Sequence, residues 1–125
     1  MLAKKIMLAI SVLSLMCFQT INQDSKILIG KWKGEKDPKL SVEFYLGSDG
    51  AYYGKISDPT DKYYGKTIFK KMVYDQDENF FSGILNPADK DITLDVTIKI
   101  ENSNRIKVVA KKFLMTRVIT CLKVK

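Results

Sequence analysis

Ile92, Leu94, Val96, Ile98 and Ile100 alternate with Thr93, Asp95, Thr97, Lys99 and Glu101. Successive side chains of an extended chain point to opposite faces, so this run makes one apolar face and one wet face. Leu40, Val42, Phe44 and Leu46 alternate with Ser41, Glu43 and Tyr45 in the same way, and Ile106, Val108 and Ala110 do so against Lys107 and Lys111. The stretch from Leu114 to Val124 is rich in Val, Ile and Thr, the composition of strands. Beyond the N-terminal apolar run, no segment sustains a 3.6-residue period. The chain is therefore read as all-β.

Turn signals punctuate the alternation at short intervals. Lys36-Asp37-Pro38 is one, and Gly47-Ser48-Asp49-Gly50 is a hairpin with Asp-Gly at its tip. Asp58-Pro59-Thr60-Asp61, the run Tyr74 to Asn79, Asn86-Pro87-Ala88-Asp89 and Asn102-Ser103-Asn104 complete the series. Strands are predicted near 28–35, 40–47, 51–57, 66–74, 79–85, 91–101, 105–112 and 114–123. Short connections between them indicate an antiparallel up-and-down meander. Its two edges stay exposed unless the sheet closes. The expectation is a squat barrel of about eight strands, just wide enough to be filled by side chains or to hold one small ligand.

The N-terminus limits where such a barrel works. Lys4 and Lys5 precede an apolar run from Ile6 to Phe18, which Gln19, Asn22, Gln23 and Asp24 end. This is the pattern of a secretory signal and falls short of the ~20 apolar residues a spanning helix needs. The signal is assigned to residues 1–22, with cleavage between Phe18 and Asp24, and the barrel to 23–125. An exported, periplasmic or extracellular protein follows. Cys17 follows Met16, where a lipidation site wants a small residue. With Cys17 gone, Cys121 stands alone without a disulfide partner and is expected as a buried, inert thiol.

Removing Lys4 and Lys5 from the 21 basic residues leaves 19 against 14 acidic ones, a net charge of +5. The excess reads as scattered; Lys31, Lys33, Lys36 and Lys39 come closest to a patch, and Glu35 and Asp37 interleave with them. Nucleic-acid binding wants a basic face with exposed aromatics, and export argues against it. Contact with anionic glycans or lipid headgroups at the envelope stays open.

The chain has no histidine, which removes Ser-His-Asp and Cys-His catalysis and most zinc sites. No metal site, cofactor or catalytic set is expected. Asp75, Asp77 and Glu78 lack the glycine and distant glutamate of a calcium loop, and Asp49, Asp58, Asp61 and Asp89 fall where turns want Asp. Trp32, the only tryptophan, starts the first strand, and Arg117 lies in the last. Two readings stand: the guanidinium covers the indole where the strands meet, or Trp32 is core and Arg117 a surface charge.

Gly30-x-Trp32, Asp49-Gly50-x-Tyr52-x-Gly54-Lys55-Ile56, Gly83-x-Leu85-Asn86-Pro87 and Thr116-Arg117 together resemble the DUF2147 family of exported bacterial proteins. Phe81 and Met115 stand where that family has tryptophans. The Gly-x-Trp start and late arginine also look like the calycins, the lipocalins and fatty-acid-binding proteins. That resemblance implies a calycin-like barrel in which Trp32 and Arg117 are a structural closure pair. The family name itself implies no biochemical activity.

The expected function is non-enzymatic binding of a small apolar or amphipathic molecule, or of an envelope partner at the rim. Phe44, Tyr52, Ile56, Leu94 and Val96 are the candidate lining residues. One alternative is an envelope enzyme using Asp49, Tyr52 and Asp58. Another is an interaction protein displaying Tyr45, Tyr53, Tyr63 and Tyr64. Oligomeric state is not legible.

Overall fold

The computed structural model describes residues 25–37 and 39–125. The expected export signal, its cleavage region, Cys17 and Pro38 lie outside the described residues. A short 3-10 turn, Lys26–Leu28, leads into eight strands. They are β1 (Gly30–Gly34), β2 (Ser41–Leu46), β3 (Tyr52–Ile56), β4 (Thr67–Asp75), β5 (Phe80–Leu85), β6 (Leu94–Asn102), β7 (Arg105–Lys112) and β8 (Met115–Lys123). Each pairs antiparallel with its neighbours, and β8 returns to β1 to close the barrel. The seam carries the pairs Trp32 with Lys123, Lys33 with Leu122 and Gly34 with Cys121.

Two expected strands start later than the alternation suggests. Asn86 donates through Nδ2 to the Ile92 carbonyl at 3.1 Å and to Thr93 Oγ1 at 2.8 Å, so that pair belongs to the loop and β6 begins at Leu94. Leu28 ends the 3-10 turn rather than opening β1.

Period two then sorts the core. Val96 and Ile98 are buried between the outward Thr97 and Lys99, and Ile106 and Val108 between Lys107 and Val109. Trp32, Phe44, Met72, Phe81, Ile98 and Ile106 fill the centre with Leu28. β4 breaks the period: Lys71 has φ 53°, and the register with β5 shifts between Lys70 and Val73. This bulge inserts residues so that Phe69 and Met72 are both buried. Gly83 faces it from β5. A Cβ there would lie 2.7 Å from the Lys70 carbonyl oxygen and would strike Met72 Sδ. The bulge fits because that position is bare.

An up-and-down barrel has two ends. At the end where β1 starts lie the loops 47–51, 76–79 and 103–104 and the C-terminus. The 3-10 turn covers this end. Leu28 is fully buried there, its carbonyl accepts from Trp32 Nε1 at 2.8 Å, and Ser25 Oγ meets Tyr52 OH at 3.0 Å. At the other end lie the loops 35–40, 57–66 and 86–93 and the tip of the β7–β8 hairpin.

Candidate functional site

The five candidate lining residues do not share one fate. Phe44, Tyr52, Ile56 and Val96 are only 2%, 6%, 8% and 2% exposed and belong to the core cluster. Leu94 is half-buried and pairs with Leu85 across β5. Phe44 packs on Phe69 with ring centroids 5.1 Å apart, and Tyr52 meets Phe81 edge-on at 5.4 Å. Gly54 leaves room for this packing, since a Cβ there would stand 2.8 Å from Phe44 Cε1. Four of the five side chains expected to bound a ligand are thus members of the core cluster, packed as core side chains are.

The closure pair is corrected. The cation over the indole is Lys123, whose Nζ lies 4.7 Å from the Trp32 ring centroid and donates to the Ile29 carbonyl. Gly30, at φ +126°, has no side chain in the space this ammonium occupies. Burial lowers the Lys123 pKa from its ordinary value. Arg117 pairs with Ala110 of β7 and is exposed. It lies six residues before Lys123, roughly 20 Å along an extended strand, and past the point where β1 ends at Gly34.

The carboxylates proposed for enzymatic work stand apart. Asp49 sits in the loop between β2 and β3, and Asp58 in the loop between β3 and β4, at opposite ends of the barrel. Each serves its own turn. Asp49 accepts from Tyr53 OH at 2.6 Å and from the Ala51 N–H at 3.1 Å, and these bonds hold its carboxyl below the ordinary value of 3.8. Asp58 is lowered in the same sense by the backbone N–H and hydroxyl of Thr60, at 2.9 and 2.8 Å. Tyr52 is buried with its hydroxyl on Ser25. Asp75 likewise caps a turn, accepting from the N–H groups of Asp77 and Glu78 beside an open depression of about 420 Å³.

The four tyrosines lie in two separate places, on β2 and β3 and in the loop between β3 and β4. Tyr45 and Tyr53 register across β2 and β3 and stack at 6.0 Å, with Lys55 Nζ 5.6 Å from the Tyr45 centroid. Tyr63 packs against the core beneath Lys62 and Lys66, while Tyr64 is exposed. Cys121 is buried on β8, and desolvation pushes its thiol up to about 11. It stays a protonated packing group at neutral pH.

A different set of residues stands out on the surface. The β7–β8 hairpin turns at Phe113-Leu114, and Phe113, Leu114 and Met115 are 94%, 102% and 79% exposed. Val118 follows at 55%. Lys111, Lys112 and Arg117 flank this tip. Residues 105–125 hold seven basic side chains and no acidic one, so the charge excess is gathered on one hairpin, where it had read as scattered. Farther back, Arg105 pairs with Glu35 at 3.2 Å and Glu101 at 2.9 Å, and Lys107 with Glu101 at 3.7 Å. Among the described residues Lys111, Lys112 and Arg117 form no ion pair. The absence of acids from 105 onward was a readable signal, but the exposure of the apolar tip needed the register. No family model, curated protein or solved structure matches the chain.

Proposed function

We propose that this chain is an exported, non-enzymatic binding module of the cell envelope that engages its partner at the barrel rim, through the β7–β8 hairpin. The observation that carries the reading is a contrast in exposure. Phe113 and Leu114 stand almost wholly in water, whereas Phe44, Tyr52, Ile56 and Val96 are taken up by the core. Contiguous exposed apolar residues mark interaction sites more often than isolated ones do. The separation of Asp49 from Asp58 supports a binding role over the carboxylate enzyme. Kinship with the DUF2147 proteins is part of the proposal. The Asp49-to-Ile56 run supports it, each element having a physical job: Asp49 caps the turn, Gly50 adopts φ +84°, Gly54 admits Phe44, and Tyr52 and Ile56 enter the core.

Fractionation of cells expressing the full chain tests the reading. The wild-type protein is expected with the envelope fraction, and a Phe113→Ser/Leu114→Ser variant in the soluble exported fraction. Identical distribution of the two would refute it. So would saturable uptake of a fluorescent fatty acid that Ile56→Trp abolishes, because the interior would then be the binding site.

A further inference from the structure

Phe113 occupies a position that folding alone does not favour. The loop joining β7 to β8 has two residues, between the paired Lys112 and Met115. Phe113 has φ 56°, and Leu114 is not among the residues with positive φ. Positive φ at the first central residue alone is the pattern of a type II′ turn, where glycine is the usual occupant. A bulky side chain there is a backbone outlier, and persistent strain of this kind clusters at functional sites. Phe113 is 94% exposed, so core packing does not repay the strain.

The surroundings of the tip narrow the partner. Phe113, Leu114 and Met115 project from a hairpin end and are not set in a groove, which suits insertion into a deformable apolar medium. Directly behind them, Lys111, Lys112 and Arg117 carry charge that no acid among the described residues neutralises by an ion pair; Asp95 registers opposite Lys111 without one. The Lys112 ammonium lies 5.9 Å from the Phe113 centroid, so cation and aromatic occupy adjacent depths. An apolar tip collared by cations matches the layers of a bilayer leaflet, acyl chains beneath anionic headgroups.

We infer that the β7–β8 hairpin is a membrane-docking element that inserts Phe113, Leu114 and Met115 into the interface of an anionic phospholipid bilayer, with Lys111, Lys112 and Arg117 on the headgroups. The inference rests on the rim reading above and names its partner. Each headgroup-facing cation contributes roughly fivefold in partitioning at low salt, and screening weakens this as ionic strength rises.

The test is co-sedimentation of the purified exported form with vesicles of phosphatidylglycerol and phosphatidylcholine in equal parts, and with phosphatidylcholine alone. The wild type is expected to bind the anionic vesicles and to lose binding as salt is raised. Phe113→Gly removes the ring and gives the turn its preferred residue. Its partition is expected to fall about tenfold while its thermal midpoint stays level or rises, an outcome no loss of folding produces. Lys111→Gln/Lys112→Gln/Arg117→Gln is expected to abolish the preference for anionic lipid. No binding of the wild type to anionic vesicles overturns the inference, as does equal binding by Phe113→Gly. A wild-type dimer that Phe113→Gly converts to monomer also overturns it, the tip then being a contact between copies. Hairpin-dependent recovery with the envelope fraction but no binding to pure lipid leaves the rim reading standing and removes this one.

Discussion

The ammonium of Lys123 serves the barrel seam twice, through the face of Trp32 and through the Ile29 carbonyl. A partly desolvated cation over an indole contributes about 1–2 kcal/mol. Denaturant unfolding of Lys123→Met is expected to show a loss of that size, while Arg117→Gln stays within about 0.5 kcal/mol of wild type, as exposed substitutions do. Equal losses would restore Arg117 as the closing cation. Asp49 gives a pH-dependent readout. Its folded-state carboxyl is held below 3.8 by Tyr53 and Ala51. The folded state therefore binds fewer protons than the unfolded one in that window. The stabilisation is present above the ordinary carboxylate range and is lost as pH falls through the lowered value. The Tyr53 hydroxyl resonance and the Ala51 amide are expected to titrate together there, and Asp49→Asn to remove the transition. At this scale the sequence was only partly legible. That a cation from the last strand lies over Trp32 was one of two readings the residues left open, and the one that the calycin resemblance implied. Which cation depends on register, and Arg117 and Lys123 have the same parity six residues apart.

Among the strands, length and pairing predict unequal stability. β6, β7 and β8 pair over long runs, Asp95 to Asn102 with Lys111 to Arg105, and Arg105 to Lys112 with Leu122 to Met115. β1 meets β8 at three pairs only. Local opening is expected where fewest bonds must break together. Hydrogen exchange is expected to release the seam amides, including Glu35 N–H to the Thr120 carbonyl and Val124 N–H to the Lys31 carbonyl, before those between β6 and β7. Uniform protection around the barrel would contradict this. The strands themselves were readable because period two and turn residues mark the same boundaries. The exceptions have physical causes. The Asn86 side chain delays β6, the β4 bulge changes phase at Lys71 without a glycine, and the β7–β8 turn uses Phe113-Leu114, which carry no turn chemistry.

For the whole molecule, closure follows from a meander of eight short strands with apolar inner faces, since closure removes both edges. What closure does with the interior was not legible, because an alternating strand looks the same whether it faces a packed core or a ligand. The positions of Phe44, Tyr52, Ile56 and Val96 favour core. Charge was misread for a related reason. Seven basic residues spread over 105–125 look diluted along the chain, yet a hairpin folds them onto one element whose tip is apolar. Under the proposed function, the rim and not the interior is the working surface. Amide chemical shifts of the labelled protein, followed as bicelles containing phosphatidylglycerol are added, test it most directly. Changes are expected to concentrate at 111–118, with Phe44, Tyr52, Ile56 and Val96 unmoved; shifts at those four core residues with a silent hairpin would contradict rim binding.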